Sequence, residues 1–148
     1  YFECTGQRVL MSGYLGSIGF GFPAAMGAWA ATQDLEGYRG RKVISISGDG
    51  GFGQYMAEFT TAVKYNMDIT HVLLNNSQLG KITKEQRAGE FTVWQTDLVN
   101  PSFSGFARLC GGFGKKVSEA KDLDAVIREA LDHKGPALVE ISTDMELI

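Results

Sequence analysis

The stretch Val43-Ile44-Ser45-Ile46-Ser47-Gly48-Asp49-Gly50-Gly51-Phe52-Gly53 decides the fold. Its first five residues are short and rich in β-branched side chains, and glycines follow at once, the pattern of a buried parallel strand ending in a turn. Downstream, Tyr55, Met56, Phe59, Ala62 and Val63 recur at helical spacing, which predicts a helix from Tyr55 to Tyr65 stopped at Asn66. Ile69 to Leu74 then reads as a second buried strand, closed by Asn75-Asn76. Strand, glycine turn, helix and strand make one βαβ unit, and in open sheets built of such units ligands lie beyond the carboxyl ends of the strands.

Outward from this unit the alternation continues. Ile18 to Ala31 is apolar but interrupted by glycines and Pro23. It is too short and broken to span a bilayer and reads as a buried helix. Gly80 to Trp94 is polar and mixed, Phe103 to Cys110 reads as a short helix, and Gly114 to Val117 as a strand. Leu123, Val126, Ile127, Ala130 and Leu131 place an amphipathic helix over Asp122 to Asp132, and Ala137 to Ile141 is a closing strand after Gly135-Pro136. The prediction is a single α/β domain over residues 1–148, doubly wound, with a mainly parallel sheet and helices on both faces.

Composition narrows the classes. The 148 residues, 44% of them hydrophobic, bury one sizeable core. With 14 Lys and Arg against 17 Asp and Glu, the net charge is −3. No basic run offers itself to nucleic acid or to an anionic membrane. Cys4 and Cys110 lie far apart without CxxC spacing, so neither a disulfide framework nor a zinc site is expected, and a cytoplasmic setting fits. His71, inside a strand, and His133, beside a helix end, read as structural, Cys110 as a small apolar core residue and Trp94 as a packing or interface residue. Glycine stands out: 19 residues against 3 prolines point to tight backbone work rather than disorder. Beginning at Tyr1 rather than Met, with no complete element before Gln7, the chain reads as a piece of a longer protein.

The glycine turn carries the chemistry. Backbone N–H groups between Gly48 and Gly53 would converge on a phosphate. Read literally, Gly48, Gly50 and Gly53 match GxGxxG, the dinucleotide fingerprint, but the acidic residue expected at the end of the second strand is replaced by Asn75-Asn76. Asp49 would repel a pyrophosphate unless a cation lay between them. Mg²⁺ takes hard oxygen ligands together with substrate phosphates, and Asn75 or Asn76 at the neighbouring strand end can add an amide oxygen.

Gly48-Asp49-Gly50 followed by Leu74-Asn75-Asn76 resembles the diphosphate and magnesium motif of thiamine diphosphate enzymes, with the spacing of the acetolactate synthase and pyruvate oxidase branch. Ser12-Gly13-Tyr14-Leu15-Gly16-Ser17-Ile18-Gly19-Phe20-Gly21-Phe22-Pro23-Ala24-Ala25 is similar to that branch's glycine-rich segment. From about Arg8 onward the chain looks like the C-terminal cofactor-binding domain of such an enzyme, with the thiamine diphosphate-binding fold. The resemblance implies Asp49 and Asn76 as side-chain Mg²⁺ ligands and Gln78 as a ligand through its backbone carbonyl. It implies a cofactor-binding set of Gly16, Ser17, Ile18, Gly48, Asp49, Gly50, Gly51, Asn76, Gln78, Leu79 and Gly80. Within it, Gly50 and Gly51 donate N–H groups to the diphosphate, the Gly16 carbonyl accepts from the aminopyrimidine amine, and Ile18 props the bent cofactor.

Gly80-Lys81-Ile82-Thr83-Lys84-Glu85-Gln86 looks most like the pyruvate oxidase stretch, with Glu85 on the substrate side, although Lys81 stands where an aromatic residue is common. The implied activity is decarboxylation of a pyruvate-like 2-oxo acid, followed by oxidation or transfer of the carbanion intermediate. The resemblance further implies a homodimer or homotetramer in which the pyrimidine-binding domain of another subunit completes the site. FAD on a domain outside this chain stays open, and the activating glutamate belongs to another domain, so these residues alone are expected to be inactive. Two other readings stand beside it: an NAD-dependent Rossmann dehydrogenase domain and a non-catalytic nucleotide-sensing module.

Overall fold

The computed structural model describes residues 3–146. Tyr1, Phe2, Leu147 and Ile148, which the predicted domain includes, lie outside the described residues. Four strands, β1 (Val43–Gly48), β2 (Ile69–Asn75), β3 (Phe113–Val117) and β4 (Ala137–Ser142), form one sheet in the order β1-β2-β4-β3. Every pairing is parallel, so the mainly parallel sheet of the sequence reading is entirely so. The register sets Gly48 opposite Leu74 and Asn75 opposite Ser142, which brings three carboxyl ends to one level.

Among the described residues six α-helices accompany the strands: α1 (Gly21–Asp34), α2 (Asp49–Gly53), α3 (Glu58–Lys64), α4 (Gly80–Ala88), α5 (Phe103–Leu109) and α6 (Leu123–Asp132). Because successive strand residues point to opposite faces, β4 feeds two cores. Leu138 joins Phe22, Phe52, Phe59, Phe103, Ile69 and Leu73 on one face. Ala137 and Val139 meet Ala130, Val126 and Ile127 of α6 on the other. Each large apolar side chain buried this way contributes about 1.5–3 kcal/mol. Helices therefore lie on both faces, as expected.

Three expectations are corrected. The helix placed over Tyr55 to Tyr65 begins as a turn and becomes helical only in α3, because Tyr55, Glu58, Phe59 and Thr60 donate to carbonyls three residues back and keep α3 separate from α2. The buried helix of Ile18 to Ala31 is α1, which buries Phe22, Ala25 and Thr32 and leaves the rest partly or fully exposed. The strand β1 is buried on one face alone: Ile44 and Ile46 are 53% and 64% exposed, since α6 covers β3 and β4 and does not reach the far edge. The mixed segment after Gly80 opens with α4, and Gln86 fastens the following loop by accepting from the Trp94 N–H and donating to the Trp94 carbonyl. Trp94 itself is 70% exposed, while Cys110 packs against the first core as expected. Among the described residues no helix is long and apolar enough to cross a membrane.

Candidate functional site

At the carboxyl end of β1 the backbone stays extended through Gly48, and Asp49 opens α2 with its side chain 2% exposed. A buried carboxylate needs partners. Its Oδ2 accepts from the Asn100 amide at 2.7 Å, and the same Asn100 Nδ2 lies 3.1 Å from Asn75 Oδ1 at the end of β2. Asn75 Oδ1 also accepts from the Ser77 N–H at 3.1 Å, while Asn76 Oδ1 accepts from the Gln78 N–H at 3.1 Å. Asn100 is delivered by a returning segment: Leu79 N–H donates to the Thr96 carbonyl and Leu98 N–H to the Ser77 carbonyl, both at 2.8 Å, and Gln78 pairs with Asp97 in an antiparallel bridge. Gln78 is buried, donates its amide to Asp97 at 3.1 Å, and keeps Oε1 without a partner.

The turn itself is roofed. A methyl group on Gly50 would lie 2.6 Å from Leu79 Cδ2 and 3.8 Å from Ile18 Cδ1, and one on Gly51 3.3 Å from the Gly19 nitrogen, so neither position accepts a side chain without displacement. Gly19, at φ +86°, brings the backbone beneath the Tyr55 ring, where an added Cβ would sit 2.6 Å away. Ser17, Ile18, Gly19, Phe20, Pro23, Ala24 and Tyr55 line an open depression of about 330 Å³. Gly16, at φ +58°, is exposed at the approach to it. Leu79 precedes α4 and Gly80 begins it, so both follow directly from Gln78.

Glu85 is placed elsewhere. It lies on the exposed side of α4, 3.4 Å from Lys81 one turn earlier, and lines a separate surface depression with Lys81, Lys84 and Ala88.

Beneath the turn lies a polar layer. His71 of β2 is fully buried, with Nδ1 3.0 Å from Ser45 Oγ and Nε2 3.2 Å from Ser47 Oγ, and its ring stacks on Phe52 of α2. Burial lowers its pKa to about 3, so the imidazole is neutral. Glu140 of β4, 1% exposed, accepts from the Asn75 amide and the Ser104 N–H, each at 2.9 Å. Burial alone would raise its carboxyl, but the Ser104 N–H, the Asn75 amide, the Ser104 hydroxyl and the Lys116 ammonium together hold it below the usual range. Asn100 and Glu140 belong to no sequence motif. Their signals were slight: Asn100 precedes Pro101, and Glu140 interrupts an apolar strand.

Chemically, the strand ends offer hard oxygens: a carboxylate, two amide carbonyls and backbone carbonyls. Among the described residues no cluster of three or more His, Cys, Asp or Glu side chains can hold a metal. A cation at Asp49 thus needs amide and backbone oxygens, and oxygens from a bound ligand, to fill its sphere.

Residues 1–141 match the family of the thiamine pyrophosphate enzyme C-terminal, TPP-binding domain. The chain belongs to that family. It is 36% identical over 135 residues, 91% of this chain and 22% of the relative, to a thiamine pyrophosphate-containing protein of Bacillus subtilis whose own name is provisional. It is 33% identical over 147 residues, 95% of this chain and 24% of the relative, to acetolactate synthase isozyme 1 large subunit of Escherichia coli. Among solved structures, the thiamine diphosphate-dependent 4-hydroxybenzoylformate decarboxylase of Rhodococcus jostii superposes with a TM-score of 0.76 at 28% identity, over 87% of this chain and 24% of that one. The chain thus spans about a quarter of the length of these relatives.

Proposed function

We propose that this domain holds thiamine diphosphate through Mg²⁺ and its diphosphate, as part of a larger enzyme that decarboxylates a pyruvate-like 2-oxo acid and oxidises or transfers the resulting intermediate. The observation that carries the reading is the buried Asp49 carboxylate at the end of β1, linked through one amide to the oxygen of Asn75 at the end of β2. The donor chemistry fits Mg²⁺: oxygens only, with one anionic side chain, leave room for phosphate oxygens to complete an octahedron. The roofed glycine turn fits a diphosphate, since no side chain at Gly50 or Gly51 stands between backbone and ligand. Without a cation, Asp49 would repel the anion these glycines receive.

In this reading Asp49 and Asn76 give side-chain oxygens to the metal, and Gln78 its carbonyl. Gly48 to Gly51 carry the diphosphate, with Leu79 and Gly80 bounding it on the far side. Gly16, Ser17 and Ile18 would hold the pyrimidine end, Ile18 as its apolar support and the Gly16 carbonyl as acceptor for its amine. When bound, thiamine diphosphate would supply the carbanion chemistry needed to decarboxylate a 2-oxo acid. Glu85 is at most a substrate-side group offered by a partner surface, because here it is solvated beside Lys81. The pyrimidine-binding domain of another subunit closes the site in a homodimer or homotetramer. FAD belongs, if used, to a domain outside this chain. The two free thiols, Cys4 and Cys110, suit the cytoplasmic setting.

Calorimetric titration of the full-length protein with thiamine diphosphate, NAD and ADP, each with Mg²⁺ and with EDTA, tests this. Binding of thiamine diphosphate that requires Mg²⁺ is the expected result. Metal-independent binding of NAD or ADP instead would overturn it.

A further inference from the structure

Asn100 sits on Asp49, and neither the motif nor the resemblance assigns it a task. We propose that Asn100 is a positioning residue for Asp49, its amide fixing one carboxylate oxygen so that the other is presented to the cation, and that Glu140 sets the polarity of this contact through Asn75. The inference rests on the reading of Asp49 as an Mg²⁺ ligand.

The direction of each hydrogen bond is dictated from the buried end. An ionised carboxylate only accepts, so Glu140 Oε1 draws the Nδ2 end of Asn75 toward it, at 2.9 Å. Asn75 Oδ1 must then face the other way, toward Ser77 and Asn100. Asn100 can meet that oxygen only as a donor. Its one Nδ2 reaches both Asn75 Oδ1 at 3.1 Å and Asp49 Oδ2 at 2.7 Å, which uses both amide hydrogens. Asp49 is thereby tied through Oδ2, and Oδ1 is left as a single anionic ligand.

Glu140 is expensive where it stands. It is 1% exposed in a strand whose neighbours are apolar, and its balancing charge, Lys116, is 3.8 Å away. An apolar residue of similar size would suit such a core at least as well. The relay gives that carboxylate a purpose. The returning segment that carries Asn100 is held by the Leu79–Thr96 and Leu98–Ser77 backbone bonds, and Pro101 restricts Asn100 to extended backbone, so the amide arrives with little freedom. Partners that orient a ligating group in this way commonly govern metal affinity by about 10–100-fold.

The test uses the full-length protein with saturating thiamine diphosphate, titrated with Mg²⁺ and read by calorimetry, alongside melting in EDTA. Asn100→Ala is expected to raise the Mg²⁺ concentration for half-saturation about 10–100-fold, and to lower melting in EDTA as well, because the buried Asp49 carboxylate loses its donor. Glu140→Gln should shift it in the same direction, and the double variant should be no worse than the more severe single one, because both break one chain. Should Asn100→Ala fail to fold, Asn100→Ser keeps a single, shorter donor that cannot serve Asp49 and Asn75 together. Its Mg²⁺ requirement should rise in the same direction. An unchanged Mg²⁺ requirement in whichever Asn100 variant folds, or additive effects in the double variant, would each overturn the inference. A parent protein that binds thiamine diphosphate equally in EDTA would instead overturn the reading beneath it.

Discussion

At the scale of single residues, charge and burial decide what each substitution does. Asp49→Ala removes the anionic oxygen at the end of β1 and leaves a bound diphosphate poorly neutralised, so the Mg²⁺-dependent affinity for thiamine diphosphate should fall by more than about 100-fold. Asn76→Ala removes a neutral oxygen that water can replace, and should cost about tenfold. Titration of both variants checks the order. His71 gives a prediction of a different kind. Its pKa is about 3 in the folded protein against about 6.5 unfolded, so below neutrality the unfolded chain binds the extra proton and the folded state loses stability. That stability is complete above about pH 6.5 and is lost as the pH falls toward 3, at a limiting rate of about 1.4 kcal/mol per pH unit. In denaturant titrations between about pH 7 and pH 4, His71→Phe should show a shallower decline than the parent by this slope.

At the scale of elements, short helices stand on their caps and on the sheet they cover. Helix α5 spans only Phe103–Leu109, and its start is fixed by Ser102, whose Oγ accepts from the Gly105 N–H at 3.1 Å. Ser102→Ala should cost about 1 kcal/mol, read as roughly fivefold faster hydrogen exchange across α5. Since α5 carries the Ser104 N–H that Glu140 accepts, the same variant should loosen the layer behind Asn75. The elements were legible in proportion to their periodicity. The strands β1, β2 and β4 and the helices α5 and α6 sit within a residue or so of where apolar spacing placed them. The stretch between α2 and α3 did not, because Tyr55 belongs to a turn whose ring covers Gly19, a contact between residues 36 positions apart that no local spacing encodes.

At the scale of the whole molecule, what the fold leaves uncovered matters as much as what it buries. Ile18 and Phe20 at the site and Val9, Leu10, Met11, Tyr14 and Leu15 before it are large apolar residues in the open, more than a third exposed in every case. So many large apolar side chains left open in one short segment mark an interaction surface. The full-length protein should therefore sediment as a dimer or tetramer, and Tyr14→Asp with Leu15→Asp should shift it toward monomer with loss of cofactor binding. A fully active monomer by sedimentation velocity would refute this.

By itself, the sequence determined the class of fold, the succession of strands and helices, and the placement of Asp49 and Asn75-Asn76 at strand ends, since each of these follows from local period and turn chemistry. It also carried the family, through Gly48-Asp49-Gly50 and the glycine segment before it, which the match over residues 1–141 bears out. The strand order β1-β2-β4-β3, the bare face of β1, the solvated Glu85 and the chain of hydrogen bonds from Glu140 through Asn75 and Asn100 to Asp49 were decided by the tertiary structure alone. The physical reason is range. A helix or a turn is written in neighbours, whereas Asn100 meets Asp49 across 51 positions and Glu140 meets Asn75 across 65, and only packing says which distant polar groups must satisfy one another once water is excluded.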